Sequence, residues 1–307
     1  MVPIKSEKVK INPKIVAVYW VFNPDIKILT LSLKNLVSEV SEIIILDNGS
    51  KNIDELRKLV SKLYPYKIEV VELKKNLGVK ALNIGISRAI EKGADWVLLM
   101  DDDSIYPASA LKEIIRAYNV LCRYKNDVCN KIGVISLPTW MNRETKSIFK
   151  TYHYTWQFSG SLIKVDVIKK HNLSINEEFF VDIADLEFFG KIHSLGYITI
   201  HFMHGMLIHK SGRKIQLPYI LKPWKKRIWT SYTPWRYYMR VRNSIAVLRQ
   251  GYWDPYNALR DLFLSGLVLT IMYGFRTFIR TFTLGVAHGL FGKLGYLDPK
   301  LLQSEER

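Results

Sequence analysis

Hydrophobic and polar positions fall into alternating blocks through most of the chain. An apolar run from Ile15 to Phe22 is broken by Asn23-Pro24-Asp25, after which Leu29, Leu33, Leu36 and Val40 recur at helical spacing. The next run, Glu42-Ile43-Ile44-Ile45-Leu46, stops at Asp47-Asn48-Gly49-Ser50, and a charged helix is predicted over about 53–63. A third strand over 67–73 leads through Lys75-Asn76-Leu77-Gly78-Val79 into a helix over 81–92, which leaves by Gly93-Ala94. Trp96-Val97-Leu98-Leu99-Met100 follows as a strand apolar on both faces. Beyond it the pattern predicts a helix over 108–124, a polar loop over 125–131, a strand over 132–137 and a short helix over 165–171. Strand alternating with helix calls for a doubly wound, mostly parallel α/β sheet. No internal repeat or low-complexity tract interrupts it.

Chemistry gathers where these strands end. The run at Trp96 empties into Asp101-Asp102-Asp103-Ser104, and open α/β sheets bind ligands at the carboxyl ends of their strands. Three adjacent acids repel one another unless a cation or basic side chains offset them. In extended backbone alternate side chains share a face, so Asp101 and Asp103 can converge on one ion while Asp102 faces elsewhere. Hard oxygen ligands favour Mg²⁺ or Mn²⁺, with a diphosphate completing the shell. The same acids also suit a solvated turn in which Asp103 or Ser104 caps the next helix. Asp47 can accept hydrogen bonds from a base edge or ribose, or close an Asx-turn on its own loop. Asn76-Leu77-Gly78 precedes a helix whose free N–H groups suit a phosphate, with Lys80 to assist, although neither P-loop nor GxGxxG spacing is present.

A second acidic constellation lies inside Phe179-Phe180-Val181-Asp182-Ile183-Ala184-Asp185-Leu186-Glu187-Phe188-Phe189. Acids within an aromatic run are costly to bury without partners or function. A helix starting near Ala184 places Asp185 in its first turn, where the helix dipole favours the ionised form, and an ionised carboxylate in a cleft is the usual general base. Helix-capping acids give the same pattern. Met206-Leu207-Ile208 reads as a strand delivering His209, whose imidazole can join the aspartates on a metal or simply satisfy a local polar contact. Ser159-Gly160-Ser161, among the aromatics of 152–163, is a place where backbone can approach a ligand closely.

Composition narrows the partners. The chain of 307 residues is long enough for one large α/β domain with an appendage, and its net charge of +17 implies an anionic partner without choosing among nucleic acid, anionic lipid and sugar nucleotide. Cys122 and Cys129 have neither CxxC spacing nor a third ligand and are expected to be reduced thiols of a cytosolic protein. Lys5, Glu7, Lys8 and Lys10 leave no apolar core for a secretory signal, so a cytoplasmic location is expected.

The order Asn23-Pro24-Asp25, Asp47-Asn48-Gly49-Ser50, Asn76-Leu77-Gly78 through Leu82-Asn83-Ile84-Gly85, Asp101-Asp102-Asp103-Ser104, Ser159-Gly160-Ser161, Phe179 to Glu187 and His209-Lys210-Ser211-Gly212 resembles the family-two glycosyltransferases. It is most similar to their rhamnosyltransferase-like and galactofuranosyltransferase-like branch, over about residues 14–245. The resemblance implies a GT-A fold (a Rossmann-like, mostly parallel sheet flanked by helices), an inverting mechanism and a nucleotide-diphosphate sugar donor. Carried over by position, Asp47 binds the uracil or thymine base, and Asn76, Gly78 and Asn83 line the donor pocket. Asp101 and Asp103 match the D-x-D acids that hold the metal and donor diphosphate, His209 closes the metal shell, and Asp185 is the catalytic base flanked by Asp182 and Glu187. The branch often reads Asp-Gln-Asp, so Asp102 departs from it while remaining a donor-side candidate. Trp156, Ser159 and Gly160 are the acceptor-side candidates.

The tail is of another kind. Lys222-Pro223-Trp224-Lys225-Lys226-Arg227-Ile228-Trp229 and the stretch from Trp235 to Asn243 interleave cations with aromatics, a composition suited to a membrane interface or to single-stranded nucleic acid. The segment Tyr237-Tyr238 to Arg242-Asn243 again resembles the same branch, which favours lipid or acceptor. Leu262 to Phe275 lacks charge but is short for a span, and with Arg276 and Arg280 following it suits an in-plane amphipathic or re-entrant hairpin; a helix packed on protein is the alternative. The expectation is a catalytic domain over 1–215 and a helical, basic-aromatic, membrane-associating extension over 216–307. Functionally the expectation is a peripheral enzyme on the cytoplasmic face of the cell membrane, transferring a sugar from a UDP- or dTDP-sugar to a lipid-linked or growing glycan in polysaccharide biosynthesis, with Mn²⁺ or Mg²⁺. A homo-oligomer is compatible with this, and nucleic acid is not the expected partner. The rivals are a sugar nucleotidyltransferase, for which Val16 to Pro24 lacks the Gly-rich phosphate loop, and a non-catalytic nucleic-acid-binding protein.

Overall fold

The computed structural model describes residues 12–139, 147–152, 157–210, 214–216, 228–230 and 232–302. They form two compact units, one of the described residues through Ile175 with Lys191–His209, the other of Asn176–Gly190 with those from Lys210 onward.

The first unit is built on an eight-stranded sheet in the order β3-β2-β1-β4-β8-β6-β9-β7. Its parallel half comprises β1 (Ile15–Val21), β2 (Glu42–Asp47), β3 (Ile68–Glu72) and β4 (Trp96–Asp101). Among β6 (Ile132–Ser136), β7 (Phe149–Tyr152), β8 (Ser161–Lys164) and β9 (Ile198–Phe202), β8 runs antiparallel to both β4 and β6, β9 is parallel to β6, and β7 is antiparallel to β9. Ile43 to Leu46 and Val97 to Met100 are wholly buried, as expected for parallel strands covered on both faces. Helices α1 (Ile26–Leu36), α2 (Ile53–Leu63), α3 (Lys80–Glu91) and α4 (Ala110–Tyr124) connect the strands. Asp25 caps α1 by accepting from the Lys27 amide. Gly85 lets α3 lie close on the sheet, since a Cβ there would overlap Val18 and Leu46. In register, β1 and β4 are paired so that Trp20 lies opposite Asp101, which brings the parallel strands to a common carboxyl end.

Two expectations about local structure are corrected. Cys122 and Cys129 form a disulfide rather than reduced thiols, because the chain turns back at Lys125 between α4 and the short α5 (Asn126–Cys129), bringing their Cα atoms to 5.0 Å. The strand expected over 206–208 is instead the two-residue β10, Ile208–His209, limited by its equally short antiparallel partner β5, Ser104–Ile105. Leu207 is buried in the core, with its amide on the Pro138 carbonyl.

In the second unit, the N-terminal part of α7 (Ala184–Ser194) clusters with α8 (Pro234–Arg249), α9 (Pro255–Tyr273) and α10 (Phe275–Leu290). Tyr237 and Val241 of α8, Leu262 and Leu269 of α9 and Phe278, Phe282 and Val286 of α10 make one apolar cluster. Gly285 and Gly289 bring α10 against α8, where added Cβ atoms would meet Val241 Cβ at 2.8 Å and the Arg242 carbonyl at 2.7 Å. The charge-free stretch from Leu262 to Phe275 is therefore a helix and the start of another, bent at Gly274 (φ +85°) and packed on α8 along one face. Among the described residues no helix is long and apolar enough to cross a membrane. Tyr237, Tyr238, Arg242 and Asn243, read from sequence as lipid- or acceptor-facing, are instead buried inside this unit. Lys222 to Arg227 lie outside the described residues.

Candidate active site

Asp101 ends β4, and Asp102 and Asp103 form the turn that follows it. Asp101, Asp103 and His209 each offer a ligand atom, all within 4.8 Å of one another, while Asp102 stands outside the trio. Asp102 Oδ2 accepts from the Phe22 amide at 2.8 Å, tying the ends of β1 and β4 together. Burial pushes the Asp102 carboxyl up to about 6, against the pull of that amide and with a push from the Asp103 charge. The β10–β5 pairing sets His209 opposite Ser104, whose hydroxyl lies 2.7 Å from His209 Nδ1; Asp103 Oδ1 sits 3.1 Å from the same nitrogen. Ser104 thus orients the imidazole, a residue the sequence offered only as a helix cap. Two carboxylates and one imidazole this close together are a donor set that suits Mn²⁺ or Mg²⁺.

The donor-side candidates surround the carboxyl ends of β1 and β2. Asp47 is buried and closes an Asx-turn by accepting from the Gly49 amide at 3.2 Å and the Ser50 amide at 3.1 Å. Asn48 braces the neighbouring loop, accepting from the Leu77 amide and donating to the Gly78 carbonyl. Asn76 accepts from the Gly78 amide at 2.9 Å, and Gly78 takes a positive φ of 60°. Asn83 brackets the backbone of Ile175, donating to its carbonyl at 2.9 Å and accepting from its amide at 3.0 Å, so its amide is engaged in holding a distant segment.

Of the acceptor-side candidates, Trp156 lies outside the described residues. Ser159 and Gly160 are buried. The Ser159 hydroxyl accepts from the Asp101 amide at 3.1 Å, and the Gly160 amide donates to the Leu99 carbonyl. Their observed work is to hold the end of β4 that carries Asp101.

In the second unit Asp185 stands in the first turn of α7, as the sequence predicts. Burial pushes its carboxyl up to about 7; a 2.9 Å hydrogen bond from the Leu186 amide opposes the rise, the Asp182 charge adds to it, and Arg240 opposes it. Asp182 itself accepts a fork from Arg236, with Nε at 3.0 Å and Nη2 at 2.6 Å. Arg240 is engaged with Asp261 at 2.7 Å, and Glu187 is buried. A carboxyl poised near neutrality can take a proton from a hydroxyl, which is what acid–base catalysis near pH 7 requires.

Residues 15–163 match the family described as Glycosyl transferase family 2. The dTDP-rhamnosyl transferase RfbF of Shigella flexneri is 24% identical over 286 residues, covering 85% of this chain and 88% of that one. Among solved structures, the mannosyltransferase PcManGT from Pyrobaculum calidifontis in complex with GDP-Man and Mn²⁺ aligns with a TM-score of 0.54 at 14% identity, over 95% of this chain and 78% of its own. S. aureus TarS 1-349 in complex with UDP aligns with a TM-score of 0.50 at 16% identity, over 85% and 72%.

Proposed function

We propose that the chain is a family-two glycosyltransferase of GT-A fold in a rhamnosyltransferase-like branch, acting with a nucleotide-sugar donor, and that it is a metal-dependent, inverting enzyme serving a lipid-linked or growing glycan. The observation that carries the metal reading is the convergence of Asp101, Asp103 and His209 within 4.8 Å at the end of β4. These three would hold Mn²⁺ or Mg²⁺. The bound ion supplies Lewis-acid stabilisation of the charge that develops on the departing nucleoside diphosphate.

The remaining work falls to the chain's own groups. Asp185 takes the proton of the acceptor hydroxyl as that oxygen forms its bond to the anomeric carbon and the carbon–phosphate oxygen bond breaks on the opposite face. A single displacement of this kind inverts the anomeric centre and needs no covalent nucleophile. Asp47 keeps lone pairs beyond those used by its own turn, enough to accept from a uracil or thymine edge. Gly78 offers backbone to the donor phosphates beside the start of α3. The likeness to a dTDP-rhamnosyl transferase makes dTDP-rhamnose the first donor to try.

The acceptor side of the proposal is a lipid surface. Tyr256, Leu259, Phe263 and Ile271 of α9 and Phe275 of α10 are exposed, as are Arg260, Arg276 and Arg280. Apolar side chains beside cations suit in-plane docking on an anionic leaflet, and this supports the reading of a peripheral enzyme on the cytoplasmic face of the membrane. No observation favours the nucleotidyltransferase or nucleic-acid reading.

The test is turnover of dTDP-rhamnose and a panel of UDP- and dTDP-sugars, with Mn²⁺ or with EDTA, in the parent and in Asp103→Ala. Release of nucleoside diphosphate that needs the metal and disappears in the variant supports the reading. Turnover that persists in both EDTA and Asp103→Ala overturns it.

A further inference from the structure

The segment that leads into α7 is conformationally costly. Phe180, Asp182 and Ile183 all take positive φ, at 60°, 54° and 66°, and for a β-branched residue such as Ile183 this is a rare conformation. Positions of this kind are strained and persist only where the surroundings hold them. What holds them is the carboxyl-terminal half of α8. Asn243, fully buried, directs its Nδ2 amino group at three carbonyls of the segment: Phe179 at 3.0 Å, Val181 at 2.8 Å and Asp182 at 2.9 Å. Two hydrogens are thus shared among three acceptors. The orientation of the amide is fixed from the other side, because its Oδ1 accepts from Arg242 Nε at 3.0 Å.

Arg242 extends the same grip. It is buried with no carboxylate among its hydrogen-bond partners here, and its Nη1 donates to the Gly295 carbonyl at 2.6 Å and its Nη2 to the Glu178 carbonyl at 3.2 Å. A buried guanidinium satisfied by backbone carbonyls is an expensive way to fill space, since a hydrophobic side chain of similar volume would avoid the desolvation.

We propose that Asn243 and Arg242 are positioning residues for the catalytic base: they clamp residues 178–182 in a strained path that fixes where Asp185 enters the first turn of α7. The inference rests on the assignment of Asp185 as the base and adds the device that sets it. The charged groups acting on Asp185 are Asp182, itself locked by Arg236, and Arg240 of α8, paired with Asp261. Releasing the clamp lets the segment relax toward ordinary φ values, moves the carboxylate and admits water beside it.

The test uses the full chain with Asn243→Ala, and Arg242→Lys in case the first variant does not fold; the lysine keeps the cation and loses the Nε donor that orients Asn243. With dTDP-rhamnose, or whichever donor of the panel is turned over, kcat is expected to fall roughly tenfold to a hundredfold while the donor KM stays within about twofold. The acidic limb of the kcat–pH profile is expected to move to lower pH, and amide hydrogen exchange over residues 178–187 to accelerate. Unchanged exchange there overturns the clamp, whatever the activities. Faster exchange with kcat and its pH profile unaltered makes the contacts merely structural and also overturns the proposal. Full activity in Asp185→Asn overturns the base assignment, and with it the catalytic part of this inference, independently of the exchange result.

Discussion

The raised carboxyl of Asp185 makes a prediction in which activity and stability move in opposite directions. Replacing it by Asn keeps the shape and the acceptor for the Leu186 amide but removes the charge. In the unfolded chain an aspartate ionises near about 3.9, whereas in the fold burial holds Asp185 up to about 7. The folded state therefore binds the proton more tightly. The stability that Asp185 allows is complete below about pH 4 and declines as pH rises through about 7. Three pH units at about 1.36 kcal/mol each set a ceiling of about 4 kcal/mol, and because the side chain is only partly covered, solvent screening reduces this to about 1–2 kcal/mol. Asp185→Asn should then melt about 2–3 °C above the parent at pH 8 and at the same temperature at pH 4. In the same variant, sugar transfer should fall by about 10²–10⁴. Melting curves across pH 4–8, read beside product release, provide the assay. A difference in Tm that does not change with pH, or a parent more stable than the variant at pH 8, refutes the burial argument.

Further outcomes follow from packing and surface. Gly289→Ala sets a Cβ against the Arg242 carbonyl at 2.7 Å, and denaturant unfolding should show a loss of about 1–3 kcal/mol, whereas alanine at Gly251, with open space but φ +74°, should cost less. Non-reducing thiol titration should find neither Cys122 nor Cys129 free, and replacing both by Ser should lower stability by about 2 kcal/mol, as unfolding transitions of the two proteins would report. Cosedimentation with vesicles containing anionic phosphatidylglycerol should be salt-sensitive and fall several-fold in a Phe263→Ser, Phe275→Ser double variant; equal pelleting of parent and variant would refute docking through α9 and α10.

The parallel half of the sheet was legible because β1, β2 and β4 are buried on both faces, and such strands can be written only as unbroken apolar runs. The place of Asp185 was legible from the helix start at Ala184, whereas Asp101 and Asp103 are grouped apart from Asp102 through a turn at 102–103 and not through the two-residue period of extended chain. Other features had no local signature. Asn83 meets Ile175 across 92 positions, and an asparagine that brackets a distant backbone looks the same in sequence as one that meets a ligand. The disulfide arises from a turn at Lys125 that neither cysteine announces. Arg242 and Asn243 misled for a physical reason: cations among aromatics describe a membrane interface and a buried clamp equally well, and only the packing of α8 against neighbours on several sides distinguishes them.

The acids of the two constellations illustrate why residue type alone underdetermines chemistry. Asp182 meets a guanidinium within its own unit, and the Arg236 fork engages both of its oxygens. Asp101 and Asp103 converge with the His209 imidazole, a donor set that the proposed metal would complete. Asp185 has neither: the nearest arginine that acts on it, Arg240, is engaged with Asp261, and burial prevails, leaving a carboxyl near neutrality. A chain carrying seventeen positive charges in excess could have neutralised every one of these acids. That the fold pairs one, sets two beside an imidazole and buries another so that its carboxyl is pushed up is an arrangement that stability by itself would not select, because an asparagine at 185 would cost the folded state nothing and, by the argument above, would strengthen it.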